Sequence, residues 1–229
     1  MNRQGGNNPY TNRKRIEYEN STYYQITKAP YFKVFDSRGT RGEYLAFLKL
    51  KPFEEIGAKL LFNLYIPKGN GQTTEIDILM ICAKGIFVVE SKNYIGWIFG
   101  DDKQHQWCQV LRAKGRKSRK EFFYNPVMQN RSHIKHLKSI VGYSVPLRSV
   151  IVFSDKCSFK KMDISSDDVL VVKTHGLFSA VDKIYSSTSE NILTDEQITE
   201  LYCKLYPYTQ TDDTLKLQHI SNIKNLLDK

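Results

Sequence analysis

The sequence predicts a mixed α/β domain. Three observations predict it. A helical stretch near residue 45 precedes three strand-like runs that end at Lys92. Asn125-Pro126 then opens a helix, and the apolar run Ser149 to Phe153 returns to strand character. The 229 residues suit one compact domain with short appendages, and a 41% hydrophobic, 12% aromatic composition excludes a wholly disordered chain.

Taken in order, residues 1–40 are polar and rich in Asn, Tyr and Arg without clear periodicity. They predict an extended N-terminal arm that touches the body through Tyr31, Phe32, Val34 and Phe35. Gly42 to Leu50 predicts a short helix with Tyr44, Leu45, Phe47 and Leu48 on its apolar side, stopped by Pro52. Ala58 to Ile66, Glu75 to Cys82 and Ile86 to Lys92 predict strands, the last two joined by a tight connection containing Gly85. A further hairpin is expected over Gly96 to Val110, turning near Asp101-Asp102, with Gly96 and Gly100 marking tight turns around Trp97. Asn125 is a good N-cap, and Pro126 at the first helical position needs no amide donor, so a helix runs from there to about Val141. Ser149 to Phe153 and Val169 to Val172 predict strands. Leu177 to Tyr185 and Glu196 to Tyr206 predict amphipathic helices, the second capped by Thr194. Leu215 to Leu227 has the spacing of an end helix, which gives a tail over residues 207–229.

The 34 Lys and Arg outnumber the 24 Asp and Glu, a net charge of +10. Six of the basic residues, Arg112, Lys114, Arg116, Lys117, Arg119 and Lys120, fall in nine positions with no acid between them. Two readings stand: a solvated loop, or a phosphate-contacting surface that gains affinity by releasing counterions. Trp97 and Trp107 read as packing residues before stacking platforms, and the tyrosines of the arm sit among basic residues as they do where single strands bind. No run reaches the roughly 18 apolar residues of a membrane span, and Met1 to Asn8 lacks a secretory apolar stretch, so a soluble cytoplasmic protein is expected. Cys82, Cys108, Cys157 and Cys203 show no metal-binding spacing and are expected to be reduced packing thiols. Gly69-Asn70-Gly71 lacks the GK[ST] ending of a nucleotide loop, which excludes an ATPase of that type.

The chemistry-bearing stretch is Glu75-Ile76-Asp77 followed by Glu90-Ser91-Lys92. Strand alternation points Glu90 and Lys92 the same way, about 7 Å apart. A tight hairpin around Ala83-Lys84 makes paired positions sum to 167, which sets Asp77 opposite Glu90 with β-carbons roughly 5 Å apart. Two carboxylates that close repel, and in an apolar sheet they call for a cation between them; hard oxygen ligands suit Mg²⁺ or Mn²⁺. Lys92 could then orient an attacking water, help deprotonate it or stabilise developing phosphorane charge. The other reading is a structural Asp–Lys–Glu cluster on a solvated face. Gln129 and His133, four apart, share one face near the positive end of their helix, where they could meet a phosphate or give ordinary polar coverage.

Glu75-Ile76-Asp77, Gly85-Ile86-Phe87-Val88-Val89-Glu90-Ser91-Lys92-Asn93-Tyr94, Gly96-Trp97-Ile98, Gly100, Trp107, Asn125-Pro126-Val127-Met128-Gln129-Asn130, His133 and Val150 to Phe153 together resemble the NERD (nuclease-related domain) family. That family belongs to the PD-(D/E)xK nuclease superfamily. The resemblance covers roughly residues 41–206 and implies a restriction-endonuclease-like core of helix, three-stranded meander, helix and strand, here with extra C-terminal helices. It implies Asp77 and Glu90 as metal ligands, Lys92 as the catalytic lysine, and the Ser91 carbonyl and Glu43 as further metal ligands. It also places Gln129 near the pocket. The segment Lys49 to Ile56, with Pro52 and the acids Glu54 and Glu55, departs from the pattern. The expected activity is Mg²⁺- or Mn²⁺-dependent hydrolysis of DNA phosphodiesters, with the basic run and His133 gripping the backbone. A non-catalytic nucleic-acid-binding or assembly module on the same fold is the alternative, and an acidic-protein or membrane-surface partner for the basic run is a third, minor one.

Overall fold

The computed structural model describes residues 9–112, 117–212, 214, 216, 217, 219 and 221. It is a mixed α/β fold of the restriction-endonuclease-like kind, with two mixed sheets. The first half of the chain builds α1 (Pro9–Glu19), α2 (Thr22–Thr27), α3 (Tyr31–Asp36) and α4 (Arg38–Leu50), then β1 (Lys59–Pro67), β2 (Thr73–Cys82) and β3 (Gly85–Lys92). Next come β4 (Gly96–Asp101), β5 (Gln106–Leu111), β6 (Arg119–Tyr124) and α5 (Pro126–Val141). The chain then forms β7 (Leu147–Phe153), β8 (Cys157–Asp163), β9 (Val169–Lys173), α6 (Leu177–Ser187) and α7 (Asp195–Leu205).

The larger sheet has the order β1-β2-β3-β7-β9, antiparallel through the β1–β2–β3 meander and parallel from β3 to β9. Its central strands are buried over most of their length, as strands covered on both faces must be. Each is half-buried at one end, which in β2 and β3 is the end that carries Glu75, Asp77, Ser91 and Lys92. The smaller sheet, β6-β5-β4-β8, turns Ile98 and Trp107 inward against Val127, Ile151 and Phe153 to form a second core. Trp107 is buried there and stacks on Phe153 at 5.8 Å with the rings 5° from parallel. Gly100 is not a turn residue but lies within β4, where a β-carbon would stand 2.5 Å from the Trp107 ring. The thiols are free: Cys82 and Cys157 are buried, Cys108 is half-buried and Cys203 is exposed.

Two sequence expectations are corrected and one strand is added. The extended arm is helical from Pro9, and Tyr18, Tyr23, Ile26 and Val34 are buried in the main core. These helices have no apolar periodicity of their own; they are held by tyrosine rings that interlock edge-on with Tyr44, Phe47 and Phe62. The basic stretch 112–120 is not one loop, because Arg119 and Lys120 open β6. Lys114 and Arg116 lie outside the described residues. Finally, Cys157 to Asp163 forms β8, an edge strand whose mostly exposed side chains hide the usual alternation. The expected tail helix falls largely outside the described residues; 214, 216, 217, 219 and 221 are helical, and buried His219 reaches Thr73 at 3.2 Å.

α4 packs tightly on β3 because Gly42 allows it. A β-carbon at Gly42 would lie 2.9 Å from Asn93 Cβ and 3.0 Å from Ser91 Oγ. We expect Gly42→Ala to destabilise the protein by about 1–3 kcal/mol, the cost of overpacking, despite the roughly 1 kcal/mol that alanine gains in a helix. Denaturant unfolding checks this, and a more stable variant would mean that α4 is not clamped to β3.

Candidate active site

The β2–β3 ladder pairs Cys82 with Gly85 and runs to Ile78 with Val89, the register in which positions sum to 167. Beyond Ile78 the two strands part. Asp77 fills the opening: its Oδ2 accepts the Ser91 amide at 2.7 Å, so a side chain takes up the backbone donor that a continued ladder would have used. On the other side of Asp77 the β1–β2 register passes from Phe62–Ile78 to Leu64–Ile76, and the skipped residue, Asn63, has a left-handed φ of 53°. Asparagine tolerates that region better than other residues with side chains. The distortion on both flanks of Asp77 marks the place where β2 leaves regular sheet.

Across this opening runs a chain of buried polar groups. Lys92 Nζ donates to Glu90 Oε1 at 2.6 Å and to Gln129 Oε1 at 3.0 Å. Glu90, only 2% exposed, meets His133 Nε2 through its second oxygen at 3.1 Å. His133 Nδ1 in turn lies 2.6 Å from Thr74 Oγ1. An ionised Glu90 only accepts, so Nε2 carries its proton toward the carboxylate and the ring is fixed in orientation by Thr74. α5 is held over the strands by Asn130, whose amide donates to Val88 O at 2.8 Å and to Ser149 Oγ at 2.9 Å. The start of the helix is fixed by Asn125, whose side chain accepts from the Val127 and Met128 amides.

The acids are unequal. Burial pushes Glu90 up, but Lys92 and His133 outweigh it and hold the carboxyl at about 2. Asp77 is driven well above the usual carboxylate range by burial, then by repulsion from Glu90 and Glu43. Glu43, on α4, is raised to about 7 by burial and by Glu75 and Glu90. Its Oε2 takes only a long 3.4 Å bond from Tyr23. Burial alone would lower Lys92, but Glu90 and Asp77 raise it above the ordinary lysine value, so it stays a cation.

Among the described residues, no three His, Cys, Asp or Glu side chains form a group that holds a metal ion. The donor chemistry nevertheless fits a hard cation. Asp77, Glu90 and Glu43 are oxygen donors: the charge of Glu90 opposes ionisation of Asp77 and Glu43, and one lysine neutralises only part of the charge of the three when all are ionised.

Of the residues singled out in the sequence, Asp77, Glu90, Lys92, Gln129, Ser91 and Glu43 come together here. His133 comes with them, which corrects its reading as a backbone-gripping residue: it is 4% exposed and turned toward Glu90. Arg112, Lys117, Arg119 and Lys120 are exposed on or beside the smaller sheet, away from this chain of contacts; Arg119 pairs with Glu121 at 2.9 Å. Thr74, Tyr23, Tyr65 and Glu75 were not assigned from sequence. Tyr65 donates to Glu75 at 2.7 Å, and only the register of β1 on β2 brings the two together. A buried threonine or tyrosine gives no spacing signal of its own.

The Nuclease-related domain model matches residues 38–154, about half of the chain, from α4 through β7. An uncharacterized protein of Bacillus anthracis is 29% identical over 192 residues, covering 84% of this chain and 86% of its own length. No solved structure gives a significant match. The matched span contains Glu43, Thr74, Asp77, Glu90, Lys92, Gln129 and His133, and it covers half of the chain, so this protein belongs to the nuclease-related domain (NERD) family.

Proposed function

We propose that the protein is a metal-dependent nuclease that hydrolyses DNA phosphodiester bonds at the opening between β2 and β3. The observation that carries this reading is the convergence of Asp77, Glu90 and a half-buried, charged Lys92 where the sheet splits. Asp77 and Glu90, with the Ser91 carbonyl and Glu43, would hold Mg²⁺ or Mn²⁺. When bound, such an ion supplies Lewis-acid polarisation of the phosphate and lowers the pKa of water. Glu90 and Gln129 engage two of the three Lys92 protons, which leaves the third donor to place a water or to meet charge growing on the phosphate. Without a metal, Glu90 and Asp77 hold Lys92 as a cation, the form in which it would position the water and neutralise charge. His133 and Thr74 set the orientation of Glu90.

The test is cleavage of circular single- and double-stranded DNA in Mg²⁺, Mn²⁺ or EDTA, with Asp77→Asn purified in parallel. Metal-dependent cleavage that falls at least a hundredfold in the variant is the expected result. Circles have no ends, so cutting them also identifies endonuclease action. Equal cleavage by parent and variant would remove Asp77 from the mechanism. Salt-sensitive binding without cleavage in any metal would make the chain a binding module on a nuclease fold.

A further inference from the structure

The smaller sheet has an outward face that the polar site does not use. Ile98, Trp107, Phe123 and Phe159 turn inward to the second core, so strand alternation sends their neighbours outward. The register gives the rows. Trp97 lies beside Val110, which lies beside Lys120; Phe99 lies beside Cys108, which lies beside Phe122; Gln106 lies beside Tyr124. Four aromatic side chains thus share one sheet face. Phe122 is 66% exposed and Tyr124 41% among the described residues, an unusual cost for a phenylalanine in the middle of a strand.

The same face gathers cations. The Arg112 guanidinium lies 4.7 Å and Lys160 Nζ 5.0 Å from the Trp97 ring centroid. Lys120 and Lys161 are exposed in the same rows, Lys161 beside Phe99 on β8. The acids at these outward positions, Asp101 and Asp163, pair with each other in register at the far end of β4 and β8.

We propose that this face binds a single-stranded stretch of nucleic acid. The bases would stack on Trp97, Phe99, Phe122 and Tyr124, and the phosphates would meet Arg112, Lys120 and Lys160. A flat face of aromatics fits unpaired bases, whose π-faces are open; a duplex hides them and offers the surface only its phosphates. A protein partner would need acids to match the lysines, but it gives no reason for aromatic rows interleaved with them. The inference goes beyond hydrolysis and does not depend on it, because no residue of this face touches the Asp77–Lys92 group.

Binding is measured in EDTA, which stops metal-dependent cleavage, with fluorescent dT20, rU20 and a 20-base-pair duplex. The parent binds dT20 or rU20 at least tenfold more tightly than the duplex. Phe122→Ala and Trp97→Ala each weaken that binding about tenfold and leave the duplex unchanged. Lys160→Ala lowers the slope of log affinity against log salt. Of the two tryptophans, Trp107 is buried, so quenching of the protein's fluorescence by dT20 reports Trp97 and is lost in Trp97→Phe. Thermal melts matching the parent exclude misfolding, and Phe122, at 66% exposure, is the safer position. Equal affinity for duplex and single strand, or aromatic variants that bind as the parent does, overturns the proposal. Tight dT20 binding with no cleavage on adding metal upholds it while removing the nuclease reading; metal-dependent cleavage with unaffected aromatic variants does the reverse.

Discussion

Replacing Lys92 with alanine is expected to abolish metal-dependent cleavage and, at the same time, to lower the stability of the fold. The first effect follows if Lys92 is the cation that faces the reacting phosphate; loss of such a preorganised group costs about a hundredfold or more. The second follows from burial. Lys92 is the charge partner of a carboxylate that is 2% exposed, and removing one member of a buried pair costs about 3–5 kcal/mol because the other is left uncompensated. His133 still contacts Glu90 in the variant, which places the loss toward the lower end of that range. Loss of activity in Lys92→Ala alone is therefore ambiguous. Glu90→Gln/Lys92→Met removes both charges at similar volume, should recover most of the stability and should remain inactive. Melting temperature and cleavage measured on the parent and both variants decide it. A stable, active Lys92→Ala would place the chemistry elsewhere.

Glu43→Gln is expected to stabilise the metal-free protein above neutral pH. The folded-state carboxyl titrates near 7 against an ordinary value of 4.5, so the folded chain holds a proton that the unfolded chain has released. The sign follows: this contribution to stability is fully present below about pH 4.5 and is lost as pH rises through 7, at most about 3 kcal/mol for a shift of this size. Glu90 runs the other way, since its depressed value gives stability that is present above 4.5 and lost as pH falls toward 2. In EDTA the parent should thus melt lower at pH 8 than at pH 5.5, with a flatter profile in Glu43→Gln and a melting temperature about 5 °C higher at pH 8. Adding Mg²⁺ at pH 8 should raise the parent more than the variant, because an ion bound to Glu43 removes the same repulsion. A variant with the parent's pH profile, or one less stable at pH 8, would show that Glu43 does not feel the other acids.

The site was more legible in the sequence than the fold around it. The two-residue connection Ala83-Lys84 fixes the β2–β3 register by arithmetic as far as Ile78–Val89, which brings Asp77 and Glu90 to the same end of the ladder. That the strands part there, with Asp77 bonded to the Ser91 amide and not paired with Glu90, is not written in the spacing. Asn125-Pro126 marked the start of α5, and Thr194 began α7 with a full capping box. What could not be read was tertiary. The periodicity of α5 put Gln129 and His133 on one face, but only the packing of α5 on β2 and β3 turns His133 to Glu90 instead of to solvent. β6 and β8 are edge strands whose residue types do not follow their burial: β6 carries Phe122 and Tyr124 outward beside the inward Phe123, and β8 has two successive lysines. α1 lacks an apolar face, so the order of the N-terminal helices comes from tyrosines seated against α4 and β1, with Ile26 and Val34 beside them.

Those tyrosines bear on what the family boundary means. The shared span begins at residue 38, yet Tyr18 and Tyr23 are fully buried and supply the rings that close over Tyr44, Phe47 and Phe62. Tyr23 also holds the one hydroxyl bonded to Glu43. A segment of the chain outside the span that the family model matches therefore finishes the core beside Glu43. The span that the family model matches and the core that this chain buries start at different places, so the edge of the match does not mark the edge of the folded unit.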